Sequence, residues 1–219
     1  MNLLEELEEY IGEFNQDNNV NFAIDSLRVE FSKQHKKKEL DKLGEWKRIP
    51  KNSNILFKLK NRLPHDEVTT AYQLGEHHIY FYNMQDAPKY RKAIMVIFGM
   101  SQYHKEPPPK TLIIKILSIL KKVTNLDICL DVPYKPNLEK FKKHYSLTQY
   151  TTPKGVKTQT HYINNPLVKG IEKVTIYNKG FKNSLDYILW RFEAKILVEN
   201  AKALTSPLYE FKQLIERGE

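Results

Sequence analysis

The sequence predicts an α+β protein with a mostly antiparallel central β-sheet and helices packed on one face. Many segments have the β-branched and aromatic content of strands, whereas only a few have apolar residues at helical spacing. Long stretches also lack the strand–helix alternation that a parallel sheet needs. The chain has 219 residues, 41% of them hydrophobic. This length and composition suit one large domain with a substantial core.

The first half of the chain begins with a predicted amphipathic helix over residues 3–15, where apolar side chains recur at helical spacing. A strand follows at 21–32, and a lysine-rich polar segment without assigned structure extends to about residue 53. Further strands are predicted in NILFKLKNRL (54–63), in VTTAYQLGEHHIYFYNM (68–84), with a hairpin turn at Gly75, and in KAIMVIFGM (92–100).

The second half opens with HKEPPPK, whose prolines favour the start of a helix over 110–123. A strand at 126–133 and a short helix in NLEKFKKHY come next. Strands are then predicted near 146–151, 157–163, 173–179 and 187–197, before a closing helix in SPLYEFKQLIERGE. No internal repeat is visible. The predicted organisation is an N-terminal helical appendage (1–20), a main domain (21–200) and a C-terminal helix (201–219).

Charge is the first indication of function. The 35 Lys and Arg exceed the 26 Asp and Glu, which gives a net charge of +9 and a pI near 9.3. With 13 Tyr and 10 Phe interleaved, this composition is typical of a nucleic-acid-binding protein. A lysine-rich host proteome would produce the same charge. The single cysteine, Cys129, excludes a disulfide framework and a zinc-finger cluster. Without a secretory signal or an apolar span, we expect a cytoplasmic protein with no membrane partner.

Polar side chains occupy alternate positions on several predicted strands, and therefore one face of each. The polar sets are Ser26, Arg28 and Glu30 in DSLRVEFS; Asp127, Cys129 and Asp131 in LDICLDVP; Thr175, Tyr177 and Lys179 in KVTIYNK; and Arg191, Glu193 and Lys195 in WRFEAKI. A sheet with helices on one face and water on the other would explain alternation by itself. It explains less well why aspartates lie in mid-strand, since aspartate is a poor strand former.

The carboxylates suggest a metal site. Asp127, Asp131 and Glu193 could together hold Mg²⁺ or Mn²⁺ through oxygen ligands. Tyr177 and Lys179 would then lie beside a metal-activated phosphate, as a phenol nucleophile and a cation for the developing charge. The adjacent histidines in GEHHIYFYN point to opposite faces of a strand and are poor joint ligands. His161 remains a candidate ligand or proton shuttle.

Six segments, taken in order, carry a resemblance to a known family. They are AIDSLRVEF, IMVIFGMS, VTNLDICLDV, TQTHYINNP, KVTIYNKGF and LWRFEAKI. This order resembles the rolling-circle replication initiation factors of plasmids and filamentous phages, over roughly residues 22 to 200. The resemblance implies a protein that binds origin DNA and nicks one strand through a tyrosine. It would form a 5′-phosphotyrosine link and leave a 3′ hydroxyl for a polymerase.

The resemblance also implies site residues and partners. The candidate catalytic residues are Tyr177, Tyr162, Lys179 and Arg191, and either tyrosine can be the nucleophile; the stripe of polar residues favours Tyr177. DNA, single-stranded and duplex, is the expected partner. Unwinding requires a host helicase, because the sequence has no phosphate-binding glycine loop, and a homodimer is compatible with the sequence. Two alternatives stay open: a non-catalytic origin- or operator-binding protein of the same fold, and an RNA-binding protein that uses exposed aromatic residues.

Overall fold

The computed structural model describes residues 2–56, 59, 68–84, 92–101, 106–152, 154–163 and 170–218. Within them the chain is an α+β protein whose ten strands form one antiparallel sheet, with helices packed against it. The strand order is β2-β3-β4-β5-β1-β6-β10-β9-β8-β7. The predicted fold class is therefore confirmed.

The elements lie close to their predicted positions. The strands are β1 (Ala23–Ser32), β2 (Trp46–Arg48), β3 (Val68–Leu74), β4 (Ile79–Met84), β5 (Lys92–Phe98), β6 (Asn125–Val132), β7 (Leu147–Thr151), β8 (Lys157–Ile163), β9 (Ile171–Asn178) and β10 (Trp190–Leu197). The helices whose bounds are described are α1 (Leu3–Asn18), α2 (Lys33–Leu40), α3 (Lys110–Leu120), α4 (Leu138–Lys142), α5 (Lys179–Lys182) and α6 (Thr205–Glu216).

The chain divides into two compact units. The first comprises Ser26–Thr124 and the chain start up to Glu6. Its strands run β1-β5-β4-β3-β2, so the first strand pairs with the last, and the others follow in reverse chain order. A hydrophobic cluster on this unit joins Ile94 and Val96 of β5 to Tyr80 of β4 and to Ile49 and Leu59.

The second unit comprises Leu7–Asp25 and the chain from Asn125 to its end. Its strands run β6-β10-β9-β8-β7, which repeats the strand order of the first unit. Both terminal helices contribute to its core: Phe22 stacks on Phe14 of α1 and on Phe211 of α6, with ring centroids 6.1 and 5.1 Å apart. The helix predicted as an N-terminal appendage thus buries Leu7 and Ile11 in this unit.

Several boundaries differ from the prediction for local reasons. The lysine-rich segment forms α2, a 3₁₀ turn at Asp41–Leu43 and the short strand β2. Residues 54–56 are helical rather than extended, and most of the remaining strand predicted to 63 lies outside the described residues. Helix α3 ends at Leu120, before the predicted residue 123, because Lys121 adopts a left-handed backbone with φ of 59°. The predicted hairpin turn is confirmed at Gly75, whose φ is 52°.

The strand predicted over 173–179 also ends early. The side chain of Asn178 accepts a hydrogen bond from the Phe181 backbone N–H at 2.8 Å and so caps helix α5, which begins at Lys179. Strand β10 likewise begins at Trp190 rather than at 187. In the part of the chain that the structure describes, no helix is both long and apolar enough to span a bilayer.

Candidate functional site

The polar residues predicted on one strand face are brought side by side in the second unit. Cross-strand pairing arranges them in three rows, since directly paired residues of a sheet point to the same side. The rows are Asp131–Arg191–Tyr177–Thr160, Cys129–Glu193–Thr175–Tyr162, and Asp127–Lys195–Lys173. We call this surface the polar face.

Arg191 lies at the centre of a buried network of ion pairs. Its Nε and Nη2 donate to the two carboxylate oxygens of Asp131 at 2.6 and 2.7 Å, in a bidentate pair. Its Nη1 donates to Oδ1 of Asp25. Lys179 Nζ donates to Oδ2 of Asp131 at 3.0 Å. Arg191 and Lys179 are each only 2% exposed. These four residues form what we call the buried ion network.

Burial and neighbouring charge act in opposite directions on the carboxyl groups of the network. Burial alone would raise the pKa of Asp131, but hydrogen bonds and charge from Arg191 and Lys179 outweigh it and lower that pKa. For Asp25 burial is the largest influence, and with the nearby charge of Glu193 it raises the pKa above the usual range. Burial, followed by the charge of Arg191, lowers the pKa of the Lys179 ammonium. Asp131 is therefore the anion that the network is built around.

Tyr177 faces this network from β9 but is itself enclosed. Its side chain is 8% exposed, and its hydroxyl donates to Oε2 of Glu193 at 3.3 Å. Lys182 Nζ lies 4.5 Å from the centroid of its ring. Burial, and then the charge of Glu193, raise the pKa of the phenol above its normal value. In this arrangement Tyr177 serves as a hydrogen-bond donor, and forming its phenolate is disfavoured.

Tyr162 is placed differently. It lies on β8 in the same row as Glu193, one strand beyond β9, so the two residues are separated by about 10 Å. Its side chain is half-buried rather than enclosed. Lys173 Nζ lies 3.8 Å from its ring centroid, and the Tyr150 ring meets it edge-on at 6.2 Å. Of the two candidate nucleophiles, Tyr162 is the more accessible.

The predicted metal ligands are not assembled into one set. Asp131 uses both carboxylate oxygens on Arg191 and Lys179. Asp127 lies two rows away from Asp131 and is directly paired with Lys195. Among residues 2–218, outside the gaps given above, no group of three or more His, Cys, Asp or Glu side chains is arranged to hold a metal ion. Asp127, Asp131 and Glu193 therefore do not fit a shared three-carboxylate metal site in this arrangement.

Two other residues considered from the sequence take minor positions. Cys129 is buried between the aspartates of β6, and burial raises the pKa of its thiol, as expected of a packing residue. His161 is paired with Ile176 and Gln149, in the register position next to Tyr162 and so on the opposite face of β8. Burial and nearby lysines lower the pKa of its imidazole.

Asp25 is the residue of the site that sequence reasoning did not select. The alternation in β1 assigned Ser26, Arg28 and Glu30 to the polar side and left Asp25 aside. It nevertheless belongs to AIDSLRVEF, the first of the six segments that carry the family resemblance. Its ion pair with Arg191 joins residues 166 positions apart in the chain. The motif was a usable signal that the strand pattern by itself obscured.

The chain was also compared with known proteins. No protein-family model matches it, and no curated protein is significantly similar to it.

Proposed function

We propose that the protein is a rolling-circle replication initiator that nicks one strand of origin DNA through a tyrosine. The observation that carries the proposal is the convergence of the resembling segments. Asp25, Asp131, Lys179 and Arg191 come from four of those segments and form the buried ion network. Glu193 contacts Tyr177, and Tyr162 lies about 10 Å from Glu193 on the same face. Segments that merely recurred by chance would have no reason to meet on one face of a sheet.

Tyr162 is the better candidate for the nucleophile. An attacking phenol must reach a phosphate on the surface and must lose its proton during the attack. Tyr177 is buried and donates to a carboxylate, which opposes both requirements. Tyr162 is half-buried, with the ammonium of Lys173 close to its ring. We assign Tyr177 the role of holding Glu193 in place on the polar face.

The lysines of the third row suit a DNA phosphate. Lys173 and Lys195 are directly paired across β9 and β10, an arrangement that is destabilising for two like charges unless an anion or a carboxylate lies nearby. Asp127 is the neighbour of Lys195 on the other side. A backbone phosphate seated against Lys173 would be next to the Tyr162 ring, where its charge is stabilised as it increases.

The proposed reaction balances in atoms and protons. The Tyr162 hydroxyl oxygen attacks phosphorus and forms the 5′-phosphotyrosine bond, while the bond from phosphorus to the 3′ oxygen breaks. The phenol proton passes to solvent, and the departing 3′ oxygen takes up one proton to become a hydroxyl. Arg191 and Lys179 are already engaged with Asp131, so they support the geometry of the face rather than contact the phosphate.

The carboxylates in mid-strand also predict Mg²⁺ or Mn²⁺. The sequence as a whole predicts cytoplasmic action on DNA, with a host helicase and a polymerase as partners. Because the predicted ligands do not assemble, the proposed steps use only residues of the chain. The requirement is open to direct measurement, by running the reaction in Mg²⁺, in Mn²⁺ and in chelator. Loss of reaction in chelator would show that a divalent cation is required.

The deciding experiment incubates the protein with end-labelled single-stranded DNA and looks for an adduct that resists denaturant. Tyr162→Phe removes only a hydroxyl group and is expected to eliminate the adduct with little loss of DNA binding. Tyr209→Phe, at a tyrosine 48% exposed on α6, is the matched control and is expected to retain it. If Tyr177→Phe eliminates the adduct instead, the nucleophile is Tyr177 and the mechanism stands.

The non-catalytic alternative has an observation in its favour. The cations of the buried ion network are neutralised internally, as in a structural scaffold, which an origin-binding protein without nicking activity would also need. Absence of any adduct on either strand of an origin-bearing duplex, together with retained DNA binding, would establish that alternative.

A further inference from the structure

Residues 179–189 form a loop that exposes apolar side chains beside the candidate site. Phe181, Ile188 and Tyr187 are 72%, 63% and 53% exposed. They lie within eight residues of one another, between β9 and β10. We call this segment the aromatic loop. Clustered exposure of large apolar side chains usually marks an interaction surface, whereas scattered exposure does not.

The aromatic loop is held in a defined conformation by its own backbone. Gly180 N–H donates to the Leu189 carbonyl at 2.8 Å, and Leu185 N–H donates to the Gly180 carbonyl at 2.9 Å. The approach at Gly180 is close: a Cβ there would lie 2.6 Å from the Tyr187 carbonyl oxygen. The exposed side chains are therefore presented by a compact turn, and little ordering is required when they bind a partner.

The base of the loop is anchored in the candidate site. Lys179, its first residue, is buried and donates to Asp131. Lys182, one position after Phe181, lies over the Tyr177 ring at 4.5 Å. A molecule contacting Phe181 or Tyr187 would thus be adjacent to the polar face, and Lys182 would provide positive charge between them.

We propose that the aromatic loop binds single-stranded DNA by stacking Phe181 and Tyr187 on unpaired bases of the strand that is nicked. This inference rests on the proposed function and names the form of DNA that the site takes. Exposed aromatic rings suit the faces of unpaired bases, and nearby lysines suit the phosphates between them. Paired bases hide these faces in the stack, so a duplex would not use the loop in this way.

Other occupants are less well matched by the surroundings of the loop. A second copy of this chain would bring the same excess of positive charge, since the protein carries +9. Lys182, which is exposed, belongs to the loop itself, and a polyanion satisfies its charge. An anionic lipid surface shares the anionic chemistry but offers no aromatic bases. A test of base stacking therefore distinguishes binding to DNA from binding to an anionic lipid surface.

The test compares three proteins: wild type, the double variant Phe181→Ala/Tyr187→Ala, and Tyr209→Ala as a control that removes an exposed ring elsewhere. Fluorescence anisotropy with a labelled mixed-sequence oligonucleotide, single-stranded or annealed, gives the affinities. We expect the double variant to bind the single strand about tenfold or more weakly, because each stacked base contributes substantially. The affinity of the double variant for the duplex is expected to equal that of the wild type. The Tyr209→Ala control is expected to bind both forms of DNA with wild-type affinity.

Three results would overturn the inference. One is equal single-strand affinity for the wild type and the double variant. Another is an equal loss of affinity for the single strand and for the duplex in the double variant. The third is a loss confined to binding of vesicles containing anionic lipid, or to self-association measured by sedimentation. Because Phe181 and Tyr187 are exposed, the double variant should unfold at the wild-type temperature, which checks that its fold is kept.

The adduct assay separates this inference from the proposed function. If the wild type forms an adduct but the loop variant keeps full single-strand affinity, nicking stands and the role of the loop is wrong. If no protein forms an adduct but the loop variant loses single-strand binding selectively, the loop inference stands and the nicking proposal is wrong.

Discussion

At the level of single residues, Asp131 is an ion-pair partner in the structure, whereas the sequence predicted a metal ligand. On an exposed polar face, replacing it would affect a ligand and leave the fold intact. In the structure its carboxylate accepts from both Arg191 and Lys179, whose side chains are almost fully enclosed. It is therefore a structural anion as well as a candidate site residue.

We predict that Asp131→Asn lowers the free energy of unfolding at neutral pH by about 3–5 kcal/mol, because it leaves two buried cations with too little negative charge. Urea denaturation followed by circular dichroism would measure the change. The matched control is Asp41→Asn, at the exposed Lys37–Asp41 pair. That substitution is expected to cost no more than about 1 kcal/mol.

The difference in stability between the wild type and Asp131→Asn should depend on pH in a definite direction. Because the network lowers the pKa of Asp131 from its ordinary value of 3.8, its carboxylate stabilises the folded state above that pH. The stabilisation is lost as the pH falls through the lower folded pKa. The difference in the free energy of unfolding between wild type and Asp131→Asn should therefore become smaller in strong acid. A gap that stays constant down to the acid transition would show that Asp131 acts by packing alone.

At the level of elements, the short helix α5 decides what is presented at the end of β9. It turns the chain at Asn178 and directs Lys179 back toward Asp131, while Phe181 faces solvent. A strand continued through Lys179 would have kept regular alternation and would not have formed the aromatic loop. The glycine in this helix makes that turn possible, since a backbone carbonyl and a backbone N–H approach it closely.

We predict opposite effects for two glycine substitutions in helices. Gly180→Ala should destabilise the protein by about 1–3 kcal/mol, because the new methyl group would overlap the Tyr187 carbonyl. Gly12→Ala in α1, where nothing lies within 4 Å of the added carbon, should stabilise it by about 0.5–1 kcal/mol. Thermal and urea unfolding of both variants would measure these changes. Equal changes in stability for the two variants would mean that the backbone around Gly180 can shift to accommodate the added methyl group.

At the level of the whole molecule, the two units share one strand order although no repeat is visible in the sequence. In each, a first strand leads through a helix to a four-stranded meander that returns beside it. The shared order shows how different sequences can satisfy the same pairing rules. The candidate site nevertheless belongs to the second unit alone.

The net charge of the molecule leads to a prediction about binding. Affinity for duplex DNA should fall steeply with salt, with a log–log slope of about −0.9 for each phosphate neutralised. On a single strand, Lys173→Gln should make the slope shallower by about 0.7, because one phosphate contact is lost. Lys47→Gln, at a lysine exposed in the first unit and paired with Glu76, is the control. A flat salt dependence in the wild type would contradict nucleic-acid binding.

The sequence by itself determined the fold class, most strands and helices, and the face on which the polar residues of β6, β9 and β10 lie. Alternation and helical spacing are local properties, so they could be recognised without tertiary information. The hairpin at Gly75 and the terminal helix α6 follow from the same signals. The α5 turn was missed because the cap at Asn178 competes with a strand pattern that continues through Lys179.

Only the tertiary structure decided which polar residues act together. Strand register places Glu193 opposite Cys129 rather than beside Asp127, which separates the predicted metal ligands. Pairing across 166 residues brings Asp25 to Arg191, a contact that no local pattern specifies. Burial likewise distinguishes Tyr177 from Tyr162, although both occupy polar positions in the sequence. Register and enclosure depend on neighbouring strands, and for that reason a single strand's sequence could not reveal them.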